Sequence, residues 1–328
     1  MSWTEHRDTA ADLAAYAAFL EIAEGLGLSS LLDRDEPFTL DEVMSAAQLA
    51  EPAAAEFLKA LVAAGLVQEG AEERQFAPCA DMAAKRYAAG YLSWSLDANR
   101  PYIDHAPEIL RDPDTARGQY RRDGRRVAVS SRWIGSQGFY PGVIEEIVSR
   151  KPRRIVDLGA GAGGLLIHLL GSLPDSTALA LDLSAAACDE ARRAAEEAGV
   201  GDRLEIAHRS VESLVDDASP VRGADVVHAG FVMHDVSSTP DVLDGVLRAC
   251  RTSLADGGCL VVTDAVPYAS GEGERSFSAL FTYLHAGSMD VRLPAEDEWT
   301  EAFRRAGFSD VRCTRLPMPG SRVFVAKA

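Results

Sequence analysis

Residues 153–164 read RRIVDLGAGAGG, and this stretch decides the fold. Ile155 and Val156 make a short β-branched apolar run, as a buried strand requires. Asp157, Gly159, Gly161 and Gly163 then give the pattern D-x-G-x-G-x-G. Glycine accepts the left-handed backbone angles of a sharp turn and lets main-chain N–H groups approach a ligand closely. The apolar GLLIHLLGSLP that follows reads as a helix. Strand, glycine loop and helix together open an α/β unit whose loop is built for a nucleotide-like ligand.

Further along the chain, strands and helices alternate. TALALDLS is a second strand ending in Asp182, and AAACDEARRAAEEAGV is a helix. DRLEIAHRSVESL holds a third strand, ADVVHAGFVMHD a fourth with its loop, and GGCLVVTDAV a fifth. A last helix, AEDEWTEAFRRAGF, precedes the adjacent strands DVRCTRL and SRVFVAKA. This order predicts a mainly parallel sheet covered by helices.

The N-terminal part has another character, rich in alanine and leucine. DTAADLAAYAAFLEIAEGLGLSSLL has the apolar spacing of a helix that stops near Gly25 and Gly27. Thr39 and Glu42 form a capping-box pattern, Pro52 can open the next helix, and Gly65 ends it. LVQEGAEERQFAP then reads as strand, turn, strand, which completes a winged-helix pattern. The expected domains are a helical winged-helix domain at 1–90, a helical connecting region at 91–138, and an α/β domain at 139–328.

Winged helices often bind DNA, but this one lacks the charge for it. The helix PAAAEFLKALVAAG carries one Lys and one Glu, and the chain has a formal net charge of −17. That disfavours a nucleic-acid backbone or an anionic membrane as partner. No apolar run approaches the ~20 residues of a membrane span. The start, MSWTEHRDTA, is polar and unlike a signal peptide. The five scattered cysteines include no C-x-x-C pair and suit reduced thiols. A cytoplasmic location is expected. Between Arg117 and Arg132, the stretch ARGQYRRDGRRVAVSSRW packs six arginines. They form either a solvated basic face or a guanidinium site for a substrate carboxylate.

A nicotinamide-binding dehydrogenase shares a version of the glycine pattern, but usually adds a separate catalytic domain. VDLGAGAGG, LDLS and the HD after the fourth strand point elsewhere. Residues 140 to 328 resemble a class I S-adenosylmethionine-dependent methyltransferase. With the N-terminal half, the chain resembles the small-molecule O-methyltransferase family of phenolic and natural-product pathways. The resemblance implies that the loop of Asp157, Gly159 and Gly161 holds the methionine part of S-adenosyl-L-methionine. It implies that Asp182 holds the ribose and that Ser210 and Val211 flank the adenine. It also implies a small-molecule substrate and a homodimer formed through the N-terminal domain. The family usually has an acid beside the adenine, where this chain has HRSV.

FVMHDVSS, residues 231–238, places His234 and Asp235 beyond the carboxyl end of the fourth strand, where open parallel sheets bind ligands. In the family that histidine is a general base toward a substrate hydroxyl, a task its near-neutral pKa suits. Asp235 or another acid would orient it. FSALFTYLHAGSMD adds His285, where the family usually has an apolar residue. His234, Asp235 and His285 together have the ligand types of a facial site for iron, and would also suit zinc. Such a set resembles the metal-dependent α-keto acid (phenylpyruvate-type) C-methyltransferases of peptide-antibiotic biosynthesis. In them a metal ion chelates the keto acid and acidifies the neighbouring carbon. The leading expectation is therefore metal-assisted methylation of the β-carbon of an α-keto acid, and the alternative is O-methylation with His234 as base. Phe231, Met233, Phe281, Tyr283, Met289 and Trp133 are candidates for an apolar pocket or for ordinary core. His228, inside the fourth strand, is expected to be a core histidine bonded to backbone.

Overall fold

The computed structural model describes residues 3–328, so Met1 and Ser2 of the polar start lie outside the described residues. The chain divides into two compact units, residues 1–107 with 118–137, and residues 108–117 with 138–328. The connecting region at 91–138 is thus shared between the units rather than forming a body of its own.

In the first unit the helix Trp3–Gly25 begins earlier than the alanine-leucine pattern alone indicates, and Gly27 takes a left-handed φ of 74° after it. The capping box forms as expected. Glu42 N–H donates to Thr39 Oγ1 at 3.2 Å, and Thr39 N–H donates to Glu42 Oε2 at 2.7 Å. It starts the helix Leu40–Ala47, and Pro52 lies in the first turn of the next, Glu51–Ala63. Strands β1 (Phe38–Thr39), β2 (Val67–Glu69) and β3 (Gln75–Pro78) pair antiparallel in the order β1-β3-β2. β1 has only two residues, too few to show a period-2 pattern in the sequence. Phe38, Leu20, Leu58, Leu61 and Leu66 fill the core of this unit.

The second unit holds the remaining strands: β4 (Arg154–Leu158), β5 (Thr177–Asp182), β6 (Leu204–His208), β7 (Val226–Gly230), β8 (Cys259–Ala265), β9 (Asp310–Arg315) and β10 (Ser321–Lys327). They form one sheet in the order β6-β5-β4-β7-β8-β10-β9. β4 to β8 pair parallel, and β10 runs antiparallel between β8 and β9. This is the expected Rossmann-like sheet of seven strands. The chain builds outward from β4 through β5 to β6, then returns to β7 on the other side of β4. That reversal opens a crevice at the carboxyl ends of β4 and β7, where parallel sheets receive ligands.

Burial drives the sheet together. β8 is buried along its whole length, and so are six of the seven residues of β10. On the helix Glu296–Arg305, Trp299, Ala302 and Phe303 recur at helical spacing and are buried. The Trp299 and Phe303 rings each lie 5.9 Å from Phe324 of β10. All five cysteines are unpaired thiols, and complete burial pushes the Cys250 thiol up to about 12. Phe324→Ala should empty the centre of this aromatic cluster and lower the unfolding free energy of the unit by about 3–5 kcal/mol, read by urea titration.

Candidate active site

The glycine loop is held from both ends. Gly159 and Ala160 donate N–H bonds to Leu181 O at 2.8 and 3.1 Å, which ties the loop to the end of β5. Gly159 has φ 72°, and a Cβ there would lie 2.9 Å from Val232 Cγ2, so only glycine fits. Gly161 donates its N–H to Asp182 Oδ2 at 2.8 Å, and Ser184 donates to Asp182 Oδ1 at 2.8 Å. Each oxygen of that carboxylate keeps acceptor capacity for a hydroxyl. Gly159, Gly161 and Asp182 therefore converge as the loop-and-acid arrangement requires, and this cradle fits the methionine and ribose parts of S-adenosylmethionine.

The other expected cofactor residues are placed differently. Asp157 is 4% exposed, and its Oδ1 lies 2.7 Å from His228 Nδ1. Its carboxylate thus engages a neighbouring strand. Ser210 precedes the short 3-10 turn Val211–Val215, and its carbonyl accepts from Ser213 Oγ at 2.6 Å. Val211 packs into the hydrophobic core with Leu181 and Leu214, so its side chain lines core.

His234 enters the site through a kink. Phe231, directly after β7, has φ 52°, a left-handed conformation that a bulky residue rarely adopts. Its N–H donates to Thr263 O at 2.8 Å, which pins the turn to β8. The chain then forms the helix Met233–Ser237, with His234 only 3% exposed. Asp264, on β8, has no exposed surface and accepts three N–H bonds. They come from His234 Nδ1 to Oδ1 at 2.6 Å, Ala265 N to Oδ1 at 2.8 Å, and His234 N to Oδ2 at 3.0 Å. With Nδ1 directed at that acid, Nε2 is the ring nitrogen on the side away from it.

Asp264 is the supporting acid, and the sequence reading missed it. The available signal was an acid inside the otherwise apolar strand VVTDAV. Asp235, expected to orient His234, has a side chain 54% exposed, with Oδ1 3.6 Å from His234 Nε2. It is beyond hydrogen-bond length and on the side opposite the bonded nitrogen.

His285 does come to His234, with ring centroids 5.1 Å apart and planes at 89°. It lies in the π-helical turn Leu284–Met289, and such turns often occur at functional sites. Its Nδ1 donates to Phe281 O at 2.7 Å, and its ring stacks on Phe281 at 4.1 Å and 21°. The expected metal site is not formed by these side chains. Among the described residues no group of three His, Cys, Asp or Glu is placed to hold an ion. One nitrogen of each imidazole is bonded within the protein, the rings stand perpendicular, and Asp235 turns toward solvent.

The surroundings of His234 are aromatic. Phe281 lies edge-on to its ring at 6.5 Å, Phe231 is 6.5 Å from Phe281, and Phe139 is 4.9 Å from Phe231. Of the other pocket candidates, Met233 and Trp133 are buried in core clusters and Tyr283 is 41% exposed. Three of the six clustered arginines face acids of the chain. Arg117 lies 3.3 Å from both Asp114 and Asp290, Arg126 3.7 Å from Asp123, and Arg132 3.0 Å from Glu24.

Residues 156–260 match a family model described as a methyltransferase domain. The chain is 26% identical over 251 residues to a 3-hydroxy-5-methyl-1-naphthoate 3-O-methyltransferase of Streptomyces sahachiroi, covering 73% of this chain and 70% of that protein. It is 31% identical to aclacinomycin 10-hydroxylase RdmB of Streptomyces purpurascens, over 48% of this chain and 40% of that one. The structure superposes on the pyocyanin biosynthetic protein PhzM with a TM-score of 0.60 at 19% identity, covering 99% of this chain and 98% of that one. No helix among the described residues is long and apolar enough to cross a membrane.

Gly159→Ala should force the loop from its φ and off Val232. Binding of S-adenosylhomocysteine, measured by calorimetry, should weaken at least about tenfold, because a β-carbon is strained in that conformation and lacks room.

Proposed function

We propose that this chain, an S-adenosylmethionine-dependent methyltransferase, methylates a hydroxyl oxygen of an aromatic small molecule from a natural-product pathway, with His234 as the general base. The observation that carries this reading is the buried contact of His234 Nδ1 with Asp264 at 2.6 Å. It directs Nδ1 at a buried acid, so that Nε2 is the nitrogen that would take the proton, with the carboxyl group of Asp264 behind the ring.

S-adenosylmethionine, when bound, supplies a methyl carbon on a positively charged sulfur. Gly159 and Gly161 shape the loop for it, and Asp182 offers carboxylate oxygens to its ribose. His234 Nε2 would take the proton of the substrate hydroxyl as its oxygen bonds to the methyl carbon, the carbon–sulfur bond breaks and neutral S-adenosylhomocysteine leaves. The imidazolium so formed would be stabilised by the carboxyl group of Asp264, already in hydrogen-bond contact with Nδ1. General-base assistance of this kind contributes about 10²–10⁴ in rate. The aromatic surroundings of His234, with Phe231 and Phe281, suit a planar substrate. The naphthoate methyltransferase among the relatives has an aromatic substrate by its name, which supports an aromatic acceptor here. Because RdmB is named a hydroxylase, the fold alone does not fix the reaction, and the His234–Asp264 pair is what favours proton removal.

The mostly helical first unit is proposed to pair two copies of the chain, as its family resemblance and the acidity of the chain suggest. Metal-assisted methylation of an α-keto acid is not proposed: among the described residues no third His, Cys, Asp or Glu joins His234 and His285 to hold an ion.

Labelled S-adenosylmethionine offered with hydroxylated naphthoates, other phenols and α-keto acids, with and without chelator, tests the assignment. The expected product is a methyl ether formed equally with chelator present. Chelator-sensitive methylation at a keto-acid carbon would overturn it. His234→Ala should lower turnover about 10²–10⁴-fold while leaving S-adenosylhomocysteine affinity near that of the parent chain.

A further inference from the structure

β4 and β7 are parallel neighbours with Asp157 opposite His228 in the register. Both side chains are buried, at 4% and 5% exposure. His228 Nδ1 lies 2.7 Å from Asp157 Oδ1, and Nε2 lies 3.4 Å from Thr263 Oγ1 on β8. Contrary to the sequence expectation, the partners of this histidine are side chains of two adjacent strands. A mid-strand position at the centre of a covered parallel sheet ordinarily takes an aliphatic residue, as Val226, Val227 and Ala229 do. An imidazole and a carboxylate there are costly unless each nitrogen and oxygen is engaged.

The placement of the pair gives it a use. Asp157 is the last polar residue of β4 before the glycine loop, and Gly159 lies two residues on. His228 is on β7, whose continuation carries Val232 against Gly159 and then His234 into the site. The pair therefore joins the strand beneath the donor loop to the strand beneath the base. The sequence also makes room for it. A Cβ at Gly230 would come within 3.0 Å of His228 Cε1, so the small residue two places on accommodates the ring.

We propose that His228 is a positioning residue for the methyl donor. By holding Asp157 from β7, with Thr263 behind it, it fixes the root of the glycine loop and so sets donor affinity. The inference rests on the methyltransferase reading, and concerns a residue that the donor itself need not touch.

The test is calorimetry of the full chain with S-adenosylhomocysteine, together with the melting temperature of the unliganded protein. His228→Leu keeps the volume apolar but leaves Asp157 without its imidazole partner, and should weaken binding about tenfold or more. His228→Asn carries an amide N–H near the place of Nδ1, and should retain affinity within about threefold of the parent chain. If His228→Leu does not fold, the double variant Asp157→Asn, His228→Leu removes the stranded charge, and its affinity should also fall about tenfold. Parent-like affinity in His228→Leu or in the double variant, whatever the change in melting temperature, would overturn the proposal. Equal loss in His228→Asn and His228→Leu would also overturn it, since the hydrogen bond would then not be what matters. Failure of the parent chain to bind S-adenosylhomocysteine is a distinct result, and would overturn the donor assignment along with this one.

Discussion

A carboxylate with no solvent exposure, Asp264, accepts three N–H bonds near the end of β8, and the site depends on that contact. Two of the three donors belong to His234. One acid therefore fixes both the main chain and the ring of the residue that follows β7. A buried carboxyl group tolerates little displacement, because a lost donor leaves a polar group unsatisfied in a low-dielectric interior. The left-handed turn at Phe231 is sustained by the same constraint. Its cost is offset by the N–H bond to β8 and by the anchoring of His234 to Asp264 on that same neighbouring strand.

The donor side of the site is built on a similar economy. Asp182 serves the glycine loop with one oxygen and the start of the next helix with the other, while retaining acceptor capacity for a ligand. Gly159 packs against Val232, a residue of the segment that carries His234. Donor loop and base segment thus share a contact above the sheet and the Asp157–His228 pair within it. Parallel neighbouring strands allow this, because their carboxyl ends open on the same edge.

The readings that needed revision were those about which charged groups meet. Asp235 follows His234 in sequence and was the natural candidate for its partner, yet on a short helix successive side chains point in different directions. The carboxylate that reaches Nδ1 is 30 residues away on another strand. The rings of His285 and His234 lie 5.1 Å apart, but proximity of two imidazoles does not make a metal site. Ring orientation and existing bonds decide whether nitrogens converge. Two members of the arginine cluster, Arg117 and Arg132, likewise face acids that its local sequence did not reveal, Asp290 and Glu24.

The amino-acid sequence by itself determined the sheet-bearing unit, the glycine loop, the acid ending β5, the capping box at Thr39 and the place of His234. These follow from local rules: side-chain period, the steric freedom of glycine, and backbone groups that neighbouring residues can satisfy. Only the tertiary structure decided that Asp264 engages His234, that Asp157 belongs with His228, and that β1 joins the small sheet of the first unit. Each of these is a pairing between distant segments. Its partner is selected by strand order, register and burial, quantities that no window of neighbouring residues contains.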